Sequence, residues 1–542
     1  MISPFKGLLA GTPALAPLRD PIYRGLWLAW GVANLTMWSH DVAAAWLMTS
    51  LTDSTVMVAL VQTASTLPVF LLGVPSGAMA DIVDRRRYFA ATQLWVAVTA
   101  TLLAVLAASG ALNAQLLLVL TFVNGIGLAM RWPVFSAIVP EVVPRSQLTA
   151  ALALGGISMN LSRVIGPVVA GALIASVGTS AVFALNAVMS AIGIWLILRW
   201  RSQPATSALP GERFLGAMRV GLQHVKESPT MRIVVLRVFL FFLHTSALLA
   251  LMPLVARGLD GGSGAGMFTA MMSFLGGGAV LAALQFTRWR ERHDRDSFVK
   301  VGTIAHALVS TLIVAVPTAW VALPGMALIG AAWISVANSL NVAAQMALPN
   351  WVRARGMSIY QMALMGGTAL GAGLWGQVAD LSSVPAAVIA AALAGVLVLF
   401  ALRRWKVEGG ADEDLTPLPP VTPNGLAELV GPQEGPVMVV VEYLIDPARA
   451  AEFAVVMRAT RSARLRQGAL SWGLFRDAAV SGRYVESFVD ENWIEHLRRL
   501  ERFTAADHGL RAQRLAFHLG DGPPRVQRFV AEPLAAGPTA TP

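Results

Sequence analysis

The sequence contains no cysteine in its 542 residues, which excludes disulfide scaffolds, thiolate metal sites and thiol nucleophiles. Charge is scarce: 13% of residues are Asp, Glu, Lys or Arg, against about a quarter in soluble domains, which argues against an ordinary cytoplasmic enzyme. No G-x-x-x-x-G-K-[ST] string occurs, disfavouring an ATP-driven pump. No metal or flavin motif occurs either, and no cofactor and no bound metal are expected. No cleavable signal is evident, because Pro4, Pro13, Pro17 and Pro21 interrupt the start and Arg19 and Arg24 follow. What is present is apolar: 56% of residues are hydrophobic and the mean hydropathy is +0.62. A formal charge of +10 would suit nucleic acid, but the charges lie at the ends of apolar stretches. The composition describes a polytopic membrane protein.

A crossing needs about 20 apolar residues. Apolar segments fall at 25–50, 55–80, 88–109, 114–139, 148–176 and 180–200, then at 233–257, 265–288, 298–317, 320–347, 356–380 and 384–403. The expected fold is therefore an all-α membrane protein of twelve transmembrane helices in two six-helix pseudo-repeats, with a small α+β C-terminal domain. Its expected parts are a lead-in (1–24), an N-terminal bundle (25–200), a linker with an amphipathic helix (201–232), a C-terminal bundle (233–405), a flexible linker (406–436), an α+β domain (437–532) and a disordered tail (533–542).

One alternate set of gaps holds Arg85, Arg86 and Arg87, then Arg145, then Arg199, Arg201, Arg213, Arg219 and Lys226. It continues with Arg288, Arg290, Arg292, Arg295 and Lys300, then Arg353 and Arg355, and ends with Arg403, Arg404 and Lys406. The opposite gaps are short, with Asp53, Arg257, Asp260 and Asp380 as notable charges. Positive residues stay on the cytoplasmic side, so both termini are expected there. In 212–227, Phe214, Leu215, Met218, Leu222 and Val225 recur at helical spacing. This reads either as an amphipathic helix on the inner membrane surface or as a soluble linker helix.

The halves echo each other. Pro140-Glu141-Val142-Val143-Pro144-Arg145 precedes a span with Gly166 and Gly171, and Pro349-Asn350-Trp351-Val352-Arg353 precedes one with Gly371 and Gly376. Duplicated six-span units are the architecture of alternating-access transporters. After the second span comes Gly77-Ala78-Met79-Ala80-Asp81-Ile82-Val83-Asp84-Arg85-Arg86-Arg87. Here the sequence resembles the major facilitator superfamily, whose gating loop reads G-x-x-x-D-R-x-G-R-R/K. Gly77, Asp81, Arg85 and Arg86 match; Ile82 and Asp84 depart from the pattern. Gly166-Pro167-Val168-Val169-Ala170-Gly171 is similar to the G-P-x-x-x-G element of superfamily antiporters, and also reads simply as a packing kink.

The stretch from Asn124 to Asn186 and the segment NVAAQMALPNWVRARGMSIYQ resemble the transmembrane secretion effector branch, which includes the enterobactin exporter. The resemblance implies export, by proton antiport, of a drug, siderophore or secondary metabolite across a bacterial inner membrane.

Ionisable residues inside spans are functional candidates by default. Asp41 is the expected protonation site, with Arg131 or Arg163 as its partner; a permanent structural salt bridge is the open alternative. His40, His244 and His306 read as packing residues. The expected cavity lining includes Asn34, Trp38, Trp132, Asn160, Asn338, Asn341, Gln345 and Gln361, with about a third facing cargo.

From Val437 the order is β-α-β-β-α-(α)-β, which is ferredoxin-like. Around Trp472, Tyr484-Val485-Glu486-Ser487-Phe488, Trp493 and His496 the tail resembles dimeric domains related to antibiotic-biosynthesis monooxygenases, implying a possible homodimer. Its 14 arginines against 12 Asp and Glu are too balanced for nucleic acid. Trp472, Asn492, Trp493, His496 and His508 would make an oxygenase pocket, or simply a core and a surface. The rival to a transporter is a membrane-anchored enzyme or ligand sensor whose tail carries the activity.

Overall fold

The computed structural model describes residues 13–144, 147–199, 214–260, 264–290, 292–407, 413–416, 418 and 430–532. The chain divides into two compact units. One comprises Met1–Gly211, Val234–Ala343 and Ser358–Glu408; the other Glu212–Ile233, Ala344–Met357 and Gly409–Pro542.

The first half of the membrane unit contains α1 (Pro21–Leu51), α2 (Thr55–Ile82), α3 (Arg85–Ala108), α4 (Ala114–Val142), α5 (Leu148–Ser176) and α6 (Thr179–Leu198). After α7 (Phe214–Glu227) come α8 (Pro229–Asp260), α9 (Ala265–Arg290), α10 (Arg295–Ala315), α11 (Ala319–Met346), α12 (Arg353–Leu381) and α13 (Val384–Ala401). Among the described residues ten helices are long and apolar enough to cross a membrane. Helices α1 and α12 match them in length but carry more polar residues. Local chemistry sets the boundaries: Asp20 caps α1 by accepting from the backbone N–H groups of Ile22 and Tyr23, ahead of Pro21. Asn113 and Ser383 cap α4 and α13 in the same way. Gly178, at φ +106°, makes the turn from α5 to α6.

Lipid tails are as apolar as leucine, so helices in a bilayer are held by close packing rather than by the hydrophobic effect. Glycine supplies that proximity, and it does so in the same pattern twice. In the first half α2 packs on α4, α3 on α6 and α1 on α5. In the second half α10 packs on α13. Gly278 and Gly330 bring the backbones of α9 and α11 together, and the Trp375 indole of α12 donates to the Leu243 carbonyl of α8 at 2.8 Å. Each pair recurs seven elements later, so the repeat read from the sequence is a repeat of packing. The halves meet through α5 on α9 and α2 on α12, a symmetric exchange.

Among the described residues one buried cluster joins both halves at one end of the bundle, including Trp46, Val58, Leu117, Leu251, Phe268, Met326 and Ala379. At the opposite end the first half has its own cluster around Tyr23, Trp30, Phe89 and Phe135, and at mid-span in the second half Ala279, Ala282 and Ile334 form another beside Trp333.

The second unit carries a four-stranded antiparallel sheet: β1 (Val437–Leu444), β2 (Ser471–Arg476), β3 (Arg483–Asp490) and β4 (Arg525–Val530), in the order β2-β3-β1-β4. Helices α14 (Ala450–Arg466), α15 (Trp493–Glu501) and α16 (Ala505–Leu515) complete it. Alternate residues Val437, Val439, Val441 and Tyr443 bury one face against Phe453, Met457 and Phe517.

Two expectations change here. Helix α7 belongs to this unit. Its buried residues are Val220, Gly221, His224 and Val225, and Leu222, assigned to its apolar face, is 61% exposed. The side chains of Phe214 and Leu215 lie outside the described residues. The linker expected to be flexible over 406–436 is partly docked: Leu418 N–H donates to the Phe503 carbonyl, and Ala505 and Ala506 donate to the carbonyls of Thr416 and Asp414. The tail expected at 533–542 lies outside the described residues.

Candidate functional site

Three side chains meet at the mid-length of three helices. Arg163 of α5 lies with its guanidinium carbon 5.1 Å from the Trp38 ring of α1 and 4.4 Å from the Trp333 ring of α11. The contact therefore bridges the two halves. The Nε and Nη1 of Arg163 and the indole nitrogens of Trp38 and Trp333 are buried without hydrogen-bond partners. Pro167 cannot donate to the carbonyl of Arg163 four residues back, which loosens the helix here.

The expected ion pair is absent. Asp41 accepts from the Ser65 hydroxyl of α2 at 2.8 Å and pairs with neither arginine. Arg131 donates to the Ala33 carbonyl at 2.7 Å and lies 5.5 Å from the Trp30 ring. Ala33 is eight residues before Asp41 on α1, about 12 Å at 1.5 Å per residue, so carboxylate and guanidinium sit at different depths. Arg163 stacks on Trp38, one turn from Asp41. Neither the ion-paired proton switch nor the structural salt bridge is formed here.

The glycine-proline element packs on both sides. A Cβ at Gly166 would lie 2.6 Å from that of Trp38, and Ser39 donates to the Gly166 carbonyl at 3.1 Å. Gly171 meets Thr269 of α9, in the other half. In the loop motif Asp84 caps α3 through Arg87 N–H at 2.8 Å, and Arg86 donates to the Leu198 carbonyl. Arg85 is half-buried; the surroundings of Gly77 and the side chain of Asp81 lie outside the described residues.

Of the expected cavity amides, Asn34 is 1% exposed with an unpartnered Nδ2. Asn160 bonds its own helix at the Gly156 carbonyl. Asn338, Asn341 and Gln361 are half-buried, whereas Gln345 falls in the second unit and is exposed. Trp132 is half-exposed, edge-on to Trp30. His40 packs on Phe183. His244 and His306 line a cleft inside the second half with Phe241, Thr245 and Ser310, away from Arg163. Trp333 was not singled out from the sequence; its signal is a tryptophan at mid-span rather than in an interfacial belt.

The tail residues offered as an oxygenase pocket are occupied structurally. Trp472, Arg464 and Tyr443 all donate to Glu486, which is fully buried. Asn492 caps α15. Trp493 lies in the core and His508 is exposed. His496 Nδ1–H donates to Asp490 at 2.8 Å while its Nε2 accepts from Arg528 at 3.0 Å. Burial and the arginines depress its basicity more than Asp490 restores it, so the ring is neutral.

The second unit closes around α7. Arg219 pairs with Glu491 at 2.9 Å, Gln223 donates to the Ala469 carbonyl at 2.7 Å, and Glu227 lies 3.8 Å from Arg461. Gly468, at φ +114°, fits beneath Val220. Trp351, from the segment joining α11 to α12, is edge-on to His224 and lies 4.8 Å from the Arg502 guanidinium.

Burial, with Arg466 adjacent, lowers His224 to about 4 from 6.5. The undocked helix then binds the proton more readily, so docking weakens as pH falls from about 6.5 to about 4, by up to roughly 3 kcal/mol. The hydrogen-exchange protection factors across 214–227 in the full chain, corrected for the intrinsic slowing of exchange with acid, should fall between pH 7 and pH 5. His224→Gln should flatten that dependence.

The family profile described as transmembrane secretion effector matches residues 12–535. Macrolide efflux protein A of Streptococcus pyogenes is 22% identical over 273 residues, 49% of this chain and 67% of that protein. The staphyloferrin A transporter of Staphylococcus aureus is 26% identical over 162 residues, 30% of this chain and 41% of that one. Among solved structures, the nucleoside transporter NupG superposes with a TM-score of 0.59 at 13% identity, covering 71% of this chain and 99% of that chain. A bacterial homologue of the lysosomal transporter Spinster, inward-facing and occupied, gives 0.57 at 14%, covering 72% and 98%. The fold is that of these transporters. The chain belongs to the transmembrane secretion effectors of the major facilitator superfamily, a multi-pass membrane transporter and not an enzyme.

Proposed function

We propose that the protein exports an amphipathic small molecule from a bacterial cell by proton antiport, alternating between inward-open and outward-open forms in the inner membrane, with both termini cytoplasmic. The observation that carries this reading is the cluster that, among the described residues, seals both halves at the end opposite the Arg-rich loops, with a cluster of the first half alone at the loop end. It supports an inward-facing state. Twelve spans follow if α1 and α12 also cross, their polar residues sheltered by neighbours: Asn34, Ser39 and His40 are all buried. Efflux and siderophore transport in the relatives' names support drug or siderophore cargo.

Asp41 is the proton site of this reading. Its hydrogen bond comes from a neutral serine, so proton exchange breaks no ion pair. In inside-out vesicles given a panel of fluorescent amphiphiles, Asp41→Asn should lose pH-driven uptake by more than tenfold while retaining flow down a cargo gradient. Equal pH-driven uptake by the variant would remove the coupling.

The tail is a regulatory element on this reading. Its folded unit incorporates the segment that joins the two halves in sequence and the one between α11 and α12. The strand order supports a ferredoxin-like domain. Its sheet face away from the helices exposes Met438, Phe475 and Phe529, which supports pairing with a second copy.

A further inference from the structure

We infer that the cargo carries a carboxylate, and that Arg163 receives it between Trp38 and Trp333. The inference rests on the transporter reading and gives its cargo a chemical class.

The first argument is charge. Arg131 and Arg163 both lie inside the bundle, and neither pairs with an acidic group. An arginine within a membrane is costly and is kept where it meets a counter-charge or a ligand. Arg131 has a carbonyl to bond. Arg163 has only ring faces.

The second argument is donor polarity. The unpartnered atoms here are the Arg163 Nε and Nη1 and the indole nitrogens of Trp38 and Trp333. Every one is a donor. Buried polar groups are normally satisfied, and a group of orphan donors calls for an acceptor from outside the chain. A carboxylate bound by a guanidinium gives two parallel charge-assisted hydrogen bonds. The indoles add faces for a planar or apolar body. Cationic cargo meets the wrong charge.

The position suits transport. Arg163 and Trp38 come from one half and Trp333 from the other, so a ligand here touches both moving bodies. Arg163 also adjoins the Pro167 break and the Gly276 contact with α9, where a Cβ would lie 3.4 Å from the Arg163 carbonyl. Occupancy can thereby bear on the α5/α9 crossing.

The test is equilibrium binding to the full chain in a neutral detergent, with carboxyfluorescein as the anionic probe and ethidium as the cationic one. The wild type should bind carboxyfluorescein. Arg163→Gln should weaken that binding at least tenfold, and Arg163→Lys, which keeps the charge but not the paired hydrogen bonds, should fall between Arg163→Gln and the wild type, which separates lost charge from lost folding. Trp333→Leu should weaken it less than Arg163→Gln. Absence of carboxyfluorescein binding, equal binding by Arg163→Gln, or preference for ethidium would overturn the inference. Displacement of the probe by phosphatidylglycerol but not by excess benzoate would assign the site to lipid phosphate and overturn it too. Binding needs no pH gradient, so failure of proton antiport leaves this result readable, and the converse.

Discussion

Gly171→Val is expected to abolish transport. A Cβ at this position would overlap the side chain of Thr269, lying 2.6 Å from its Cβ, where α5 of one half crosses α9 of the other. Rotating the threonine does not remove its Cβ, so the helices must part. Overpacking of this kind costs about 1–3 kcal/mol. Spent at the seam between the halves, a penalty near 2 kcal/mol shifts a two-state balance about thirtyfold. The variant should therefore sit with the sealed end apart. The absence of native cysteine makes the measurement direct: a single cysteine replacing Leu251, fully buried in the sealing cluster, should react with a thiol reagent in the Gly171→Val background and resist it otherwise. Pairing Gly171→Ala with Thr269→Gly should restore transport, because the second change removes the obstructing atoms. Unchanged labelling together with unchanged transport would show that the crossing does not limit the motion.

Glu486→Gln should unfold the tail. Burial alone would push the Glu486 carboxyl up, but Arg464, with Arg514 and the Trp472 hydrogen bond, more than offsets this and holds it below the ordinary range. Removing the charge strands Arg464, 9% exposed at its side chain, in the domain interior. Breaking one side of a buried pair costs about 3–5 kcal/mol, a large part of a small domain's stability. The readout is hydrogen exchange of β1 and α14 in the full chain, which should lose protection. Replacing the pair together, Glu486→Leu with Arg464→Met, should recover most of it, since apolar replacement removes the desolvation of both ions. If the single variant keeps full protection, the network is not what holds the domain.

The helices were legible because a bilayer imposes length and apolarity on every crossing, so α2–α6 and α8–α11 follow the apolar windows closely. The repeat was legible from Gly166/Gly171 and Gly371/Gly376, since glycine is placed where backbones approach: Gly371 meets the backbone of α8 as Gly166 meets that of α1. The pairing of Asp41 was not, because composition gives depth only coarsely and says nothing of azimuth. Arg131 looks to the Ala33 carbonyl two turns away, and a backbone acceptor leaves no mark in the sequence. Trp333 was hidden for a related reason: an apolar aromatic in an apolar run is unremarkable until a cation lies on its face. The docking of α7 was not legible, because the helical spacing names Leu222 whereas Val220 and His224 are the buried residues.

That docking sets an order on synthesis. Gln223 and Ala469 are separated by 246 residues, and at about 5–20 residues per second the ribosome needs roughly 10–50 s to make the second after the first. Through that interval His224 can meet Trp351, but Val220 and Gln223 lack Gly468 and Ala469. Translation that stalls before residue 469 therefore yields a bundle whose central connector lacks the contacts of Gln223 with Ala469 and of Val220 with Gly468.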